Sequence, residues 1–223
     1  MNLFNIDSPL VRFLEKLANI MILNWLMLIF CIPIVTIGPA ITAVYWVTLK
    51  MVRNEEGGII HDFIHSFRVN LKQGMVVGLI VIGIGALLGL EIYWMYQTSR
   101  MGGAFDQVIL GLVIFLAVLF LMMVNYVWAL LAKFNNSTRQ LFRTARALAI
   151  RHLIASVVMA FIAAVPVLML MYSPASMTIA AVFYLWLGIP GIAFLQSTLL
   201  VRIFDQYLPS DDENSEADVP SEV

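Results

Sequence analysis

The sequence has few charged residues and a single cysteine. Charged side chains make up 12% of the 223 residues, hydrophobic ones make up 61%, and the mean hydropathy is +0.91. A soluble domain of this length cannot bury so much apolar surface. The single cysteine, Cys31, excludes an internal disulfide and a cysteine-based metal cluster. The composition therefore predicts an integral membrane protein, with lipid as the main solvent.

The sequence also lacks the motifs of common enzymes. It contains no nucleotide-binding glycine loop, no serine or cysteine nucleophile constellation, no paired catalytic carboxylates and no nucleic-acid motif. His61 and His65 have the i, i+4 spacing of some zinc sites, but two histidines without a third ligand are weak evidence for metal. We interpret them as part of a polar helix face. We expect no enzymatic activity, no cofactor, no metal and no nucleic-acid partner.

Acidic residues are scarce outside the C-terminus. Six of the fourteen lie after Pro209, so residues 1–209 hold thirteen basic and eight acidic groups. Residues 210–223 have almost nothing to bury, and we expect a disordered acidic tail that follows a single membrane domain at 1–209.

Five apolar segments are long enough to cross about 30 Å of hydrocarbon. They are residues 17–52, 75–96, 108–132, 152–172 and 178–201. If residues 17–52 cross twice, twelve of the thirteen basic residues share the cytoplasmic side and only Arg100 lies outside. A single crossing leaves three outside, so the rule that positive loops stay inside favours two crossings, with both termini cytoplasmic. The sequence predicts six membrane-embedded helices in an all-α fold, in the plasma membrane.

The stretch IPIVTIGPAITAVYW, residues 32–46, contains the turn of the first predicted hairpin. Pro39 disfavours a helical conformation at Gly38, so we expect the first helix to end there and the chain to turn at residues 36–39, from Thr36 to Pro39. Pro33 would loosen the end of the first helix. The second helix is short for a span, so the turn should lie below the outer surface, where Thr36 and Thr42 can supply hydroxyl groups.

Three amphipathic stripes with basic neighbours precede the apolar pairs. They are residues 10–17 with Arg12 and Lys16, residues 63–71 with Arg68 and Lys72, and residues 141–149 with Arg139, Arg143 and Arg146. We predict three interfacial helices that contact the lipid bilayer, each followed by a hairpin. The units would be residues 1–54, 58–134 and 137–206.

Several intramembrane residues are candidates for packing or for a site. Gly74, Gly78, Gly85 and Gly89 share one helix face and favour close helix packing. The amides of Asn19, Asn24, Asn125 and Gln196 more often join helices than bind substrate.

Two further features break the apolar segments. Glu91 is the one acidic residue well inside such a segment, but the aromatic residues around it are typical of the membrane interface. Pro190, in LGIPGIAF, breaks the last segment. Paired interruptions of this kind can mark a transporter site, although the two here fall in non-equivalent parts of their predicted hairpins.

The N-terminal half resembles the YesL-like family of bacterial membrane proteins, whose function is unknown. The resemblance rests on Asn24 and Trp25 in ILNWLMLIFCIP, on a P-x-V-T-x-G-P turn, on a K-x-x-R-x-E-E-G link and on F-x-x-x-F-R-x-N-x-K, which includes Asn70. It covers about residues 1–90 and implies an accessory role in carbohydrate uptake. The family offers no catalytic or ligand residues to transfer.

The sequence is compatible with two functions. The first is a non-enzymatic accessory protein that binds a sugar transporter or a membrane sensor. The second is a small-solute permease whose path is lined by Thr36, Thr42, Glu91 and Pro190. The sequence does not indicate an oligomeric state.

Overall fold

The computed structural model describes residues 9–55, 57–99, 104–134 and 137–207, and within these it is all helical. Nine α-helices are described: α1 Pro9–Phe30, α2 Ile37–Arg53, α3 Ile59–Val69, α4 Leu71–Ser99, α5 Ala104–Lys133, α6 Thr138–Arg151, α7 Leu153–Tyr172, α8 Pro174–Trp186 and α9 Gly188–Asp205. The all-α prediction is confirmed. The predicted tail and Arg100 lie outside the described residues.

The short helix α2 forms the centre of the bundle. It packs against α1, α3, α4, α5 and α9. In the most apolar 18-residue stretch of Ile34–Arg53, 61% of the residues are buried inside the protein. The corresponding stretches of α4 and α5 are only 11% and 6% buried. The segment that the sequence marked as too short for an ordinary span is therefore the core of the fold.

The connection between α1 and α2 lies earlier than predicted. Helix α1 ends at Phe30, a 3₁₀ turn covers Ile34–Thr36, and Gly38 and Pro39 lie within the first turn of α2. The prediction that the chain turns at residues 36–39 is wrong by about one turn. Pro33, not Pro39, stops the first helix, because proline lacks an N–H and disfavours a helical residue before it. Pro39 is the third residue of α2, where a missing N–H leaves no helix bond unmade.

The first of the three interfacial helices does not exist as a separate element. Residues 10–17 form the first turns of α1, which continues from Pro9 to Phe30 without a break. Its basic residues Arg12 and Lys16 therefore lie on a long apolar helix. The other two amphipathic stripes form separate helices: α3, followed after Asn70 by α4, and α6, bent by 104° from α7.

The last apolar segment is broken into two helices. The chain bends by 78° between α8 and α9, at Gly188, whose φ of +44° lies in the left-handed region that favours glycine. Pro190 follows in the first turn of α9, so the break predicted at LGIPGIAF is confirmed. By length and composition, four helices can cross a membrane, or up to six if each bent pair is counted as one span.

Candidate functional site

The turn after α1 is closed by a threonine side chain. Thr36 Oγ1 lies 2.6 Å from the carbonyl oxygen of Phe30 and 2.7 Å from that of Pro33, and it donates to these acceptors. The last carbonyls of a helix have no partner within the helix, and lipid offers none. The hydroxyl therefore satisfies the end of α1 locally. Thr42 Oγ1 likewise donates to the Gly38 carbonyl at 2.9 Å, within its own helix.

The start of α2 meets the start of α4 through backbone atoms. A Cβ atom added at Gly38 would overlap the Gly74 carbonyl oxygen and come within 2.9 Å of Gly78 Cα. A Cβ atom at Gly74 would come within 2.8 Å of Pro39 Cα. Only glycine at these positions allows this approach, so the packing role is confirmed for this end of the glycine stripe.

The other end of the stripe faces open space within the chain. A Cβ atom at Gly89 would meet nothing within 4 Å, and one at Gly85 would only make an ordinary contact of 3.9 Å with the Phe120 ring. Gly83, on the opposite face of α4, is equally open. The stripe is thus tightly packed at Gly74 and Gly78, loosely packed at Gly85 and open at Gly89.

Asn24 binds the break between α8 and α9. Its Nδ2 donates to the carbonyl oxygens of Tyr184 at 3.1 Å and Leu185 at 2.9 Å, at the end of α8. Its Oδ1 lies over Gly188, where a Cβ atom would overlap it, and this oxygen has no hydrogen-bond partner among the described residues. Asn24 is fully buried. An amide of the first helix therefore holds the break in the last segment.

Helices α2 and α9 are parallel and in register, and both begin at a break. Pro39 and Pro190 are each the third residue of their helix, and Tyr45 and Gln196 are each the ninth. The Tyr45 hydroxyl donates to Gln196 Oε1. Each interruption therefore starts a core helix, although the first lies at the turn between α1 and α2 and the second lies after α8, so their places in the hairpins differ.

The contact between α2 and α9 is the centre of a buried polar cluster. Gln196 Nε2 donates to the Met159 carbonyl at 2.9 Å and to Asn125 Oδ1 at 3.3 Å, which joins α9 to α7 and α5. Thr48 Oγ1 and Ser197 Oγ lie 2.9 Å apart. All the side chains in these contacts are almost fully buried. The amides of Asn125 and Gln196 thus join helices, as the sequence predicted.

A second buried pair joins α5 to α7. The hydroxyl oxygens of Tyr126 and Ser156 lie 3.0 Å apart, and Ser156 Oγ also lies 2.9 Å from the Ala149 and His152 carbonyls at the bend between α6 and α7. Five of these buried hydroxyl residues were not predicted from the sequence: Tyr45, Thr48, Tyr126, Ser156 and Ser197. The sequence gives only a weak indication of their role, which is a polar side chain inside an apolar segment. Many polar side chains that contact lipid headgroups share this pattern.

Asn70 stabilises the joint between α3 and α4. Its Nδ2 donates to the Ser66 carbonyl at 3.0 Å, and it lies beside a cavity of about 190 Å³ that Trp46, His65 and Lys133 also line. The buried Trp46 Nε1 has no acceptor among the described residues. Side chains from α2, α3 and α5 thus meet at this cavity.

Glu91 lies far from these joints. It is exposed and lines a small cavity of about 150 Å³ with Trp94, Met95 and Asp106, near the end of the α4–α5 hairpin. The residues proposed to line a permease path are not brought together: the hydroxyls of Thr36 and Thr42 serve their own backbone, Pro190 is buried in α9, and Glu91 is on the exposed hairpin.

The basic residues near the C-terminal end of α2 have polar partners. Lys16 Nζ donates to the Met51 carbonyl at 3.1 Å and to Asn54 Oδ1 at 2.7 Å, at the end of α2. Lys50 forms an ion pair with Asp62 at 3.1 Å, and Arg53 forms one with Asp205. The remaining basic residues named above are exposed on α1, α3, α4 and α6: Arg12, Arg68, Lys72, Arg139, Arg143 and Arg146.

The two histidines of α3 lie side by side. Their rings are stacked with centroids 6.3 Å apart, and His61 is 84% exposed. Within the part of the chain that the structure describes, no group of three or more His, Cys, Asp or Glu side chains is placed to hold a metal ion.

These features define a class of protein: a helical integral membrane protein whose apolar core contains a buried polar cluster. Residues 20–92 match a family described as "Protein of unknown function, DUF624". That segment contains the α1–α2 turn, the Gly38 contact and Asn70. No curated protein and no solved structure matches the chain.

Proposed function

We propose that the protein is a non-enzymatic accessory component of carbohydrate uptake or sensing in the plasma membrane. It binds a membrane helix of a sugar transporter or sensor through the α4–α5 hairpin. The carbohydrate context rests on the resemblance to the YesL-like family. The motifs that carry this resemblance lie within the matched residues 20–92.

The observation that carries the proposal is the exposure of the α4–α5 hairpin. Beyond Gly78, α4 continues for 21 residues to Ser99, about 32 Å at 1.5 Å per residue. Among the four candidate spans, the apolar stretches of α4 and α5 are the least buried inside the protein. Lipid alone can cover such a surface, but the open glycine at position 89 also allows a second helix to approach closely.

Capture of partners from native membranes tests the proposal. We expect the tagged wild-type chain to retain a sugar-transporter or sensor subunit, identified by mass spectrometry. Gly89→Leu should reduce its recovery several-fold, because a leucine side chain would hold the two helices apart. Gly83→Leu is the matched control, since it places the same side chain on the opposite, equally open face of α4.

The proposal would be contradicted if no transporter or sensor subunit rose above background, or if both leucine variants lowered recovery equally. Equal loss would indicate a general effect on the hairpin. Transport of sugars by reconstituted vesicles that hold this chain alone would instead favour the permease.

A further inference from the structure

One face of α6 carries arginines that the fold does not use. The opposite face is buried: Leu141, Ala145, Leu148 and Ala149. Arg139, Arg143 and Arg146 are spaced by four and three residues, so they form one exposed stripe. Arginine is fixed in its charged state and offers five N–H donors in a planar arrangement.

These arginines border a cavity of about 690 Å³ between α5 and α6. Ser137 and Gln140 add polar groups to its wall, whereas Met123 and Phe142 make part of the wall apolar. Met123 precedes Lys133 by ten residues, which is about 15 Å along α5. The cavity therefore extends from the arginines of α6 to the apolar, membrane-embedded part of α5.

The charge of the stripe is not compensated within the described part of the chain. Arg139, Arg143 and Arg146 form no ion pair with any described carboxylate, whereas Lys50 and Arg53 each have an acidic partner. Three like charges within two helical turns repel one another. Their collection around one cavity is explained if an anion occupies it.

We propose that this cavity binds the headgroup of an anionic phospholipid of the cytoplasmic leaflet. The phosphate accepts hydrogen bonds from the arginines, since guanidinium groups match phosphate geometry. The first part of an acyl chain lies against Met123 and Phe142. Basic pockets beside membrane helices on the cytoplasmic side are suited to such headgroups, and the volume is within the usual range of ligand pockets.

Two other anions are competitors for the cavity: free phosphate and the acidic segment at residues 210–223. Both would satisfy the arginines. Free phosphate has no apolar part and the acidic segment has few apolar side chains, whereas a lipid has an acyl chain that matches the apolar wall. We therefore assign the cavity to a lipid and treat the other two anions as outcomes of the test.

The experiment measures lipid binding to the full chain in neutral detergent by native mass spectrometry, with phosphatidylglycerol and phosphatidylcholine as probes. We expect retention of phosphatidylglycerol in preference to phosphatidylcholine. The variant Arg139→Gln, Arg143→Gln, Arg146→Gln should lose roughly fivefold in affinity for each arginine, on the order of a hundredfold in all. All three side chains are exposed, so the variant should fold, which size-exclusion chromatography checks.

The matched control removes three positive charges elsewhere, with Arg12→Gln, Arg68→Gln and Lys72→Gln. It should retain phosphatidylglycerol. An equal loss in both variants would show attraction to net charge and overturn the proposal. So would the absence of a preference for phosphatidylglycerol, complete displacement of the lipid by millimolar inorganic phosphate, or binding that appears only in a chain ending at Tyr207.

Discussion

At the scale of single residues, the proline and glycine positions of the first turn each have a separate physical role. Pro33 follows the end of α1, and the Thr36 hydroxyl donates to the carbonyl of Phe30, the last residue of α1. Gly38 allows α4 to approach closely, and Pro39 lies in the first turn of α2. The P-x-V-T-x-G-P pattern is thus explained by the connection that it forms between α1 and α2. Nothing in this geometry requires a ligand at the turn.

Gly38→Ala should destabilise the protein. Alanine favours a helix over glycine by about 1 kcal/mol, but its Cβ would overlap the backbone of Gly74 and lie 2.9 Å from Gly78 Cα. Backbone atoms on both sides cannot turn away, so an overpacking cost of about 1–3 kcal/mol should exceed the gain. Unfolding in detergent, followed by circular dichroism, should show a lower melting temperature.

Gly89→Ala is the control for this substitution, because its Cβ would meet nothing within 4 Å. Its melting temperature should be unchanged or slightly raised. Equal stability of the Gly38 and Gly89 variants would show that α2 and α4 do not approach as closely as the structure has them.

At the scale of elements, the helices were largely predictable and their partners were not. Long apolar runs indicate α4 and α5 directly, and LGIPGIAF marks the break before α9. Residues 10–17 were correctly predicted as helical but wrongly separated from the rest of α1, because a basic amphipathic stripe has the same pattern whether it lies on the interface or continues into a span. The contact of Tyr45 with Gln196 joins residues 151 positions apart, and no local pattern pairs them.

Asn24→Leu should loosen the joint between α8 and α9. Leucine has nearly the same shape but cannot donate to the Tyr184 and Leu185 carbonyls. Interhelical hydrogen bonds in membranes are worth about 0.6 kcal/mol on average, so two should cost about 1–2 kcal/mol once the unpaired carbonyls are included. Protease sensitivity near Gly188 and the melting temperature measure the effect.

Asn19→Leu is the matched control on the same helix, since no hydrogen bond of the Asn19 side chain occurs among the described residues. It should leave both measurements unchanged. If the two leucine variants behave alike, the Asn24 contact does not hold the break.

At the scale of the whole molecule, the position of the α1–α2 connection along α4 decides how deep the first hairpin reaches. Gly38 and Pro39 contact Gly74 and Gly78, which lie only two and six residues after Lys72. The remaining 21 residues of α4, about 32 Å, are by themselves enough to cross about 30 Å of hydrocarbon. The first hairpin should therefore turn back near the side from which it enters.

Cysteine labelling tests this depth. In a Cys31→Ala background, Ile32→Cys places a thiol on the connection, where Ile32 is 79% exposed, and Gln97→Cys places one near the far end of α4. In sealed vesicles of known orientation, an impermeant maleimide should label Gln97→Cys from one side and should not reach Ile32→Cys from that side. Labelling after detergent is added gives the total for each. Equal labelling of both thiols from the same side would mean that the hairpin crosses completely, and the contact between Gly38 and Gly74 would then have to lie near the outer surface.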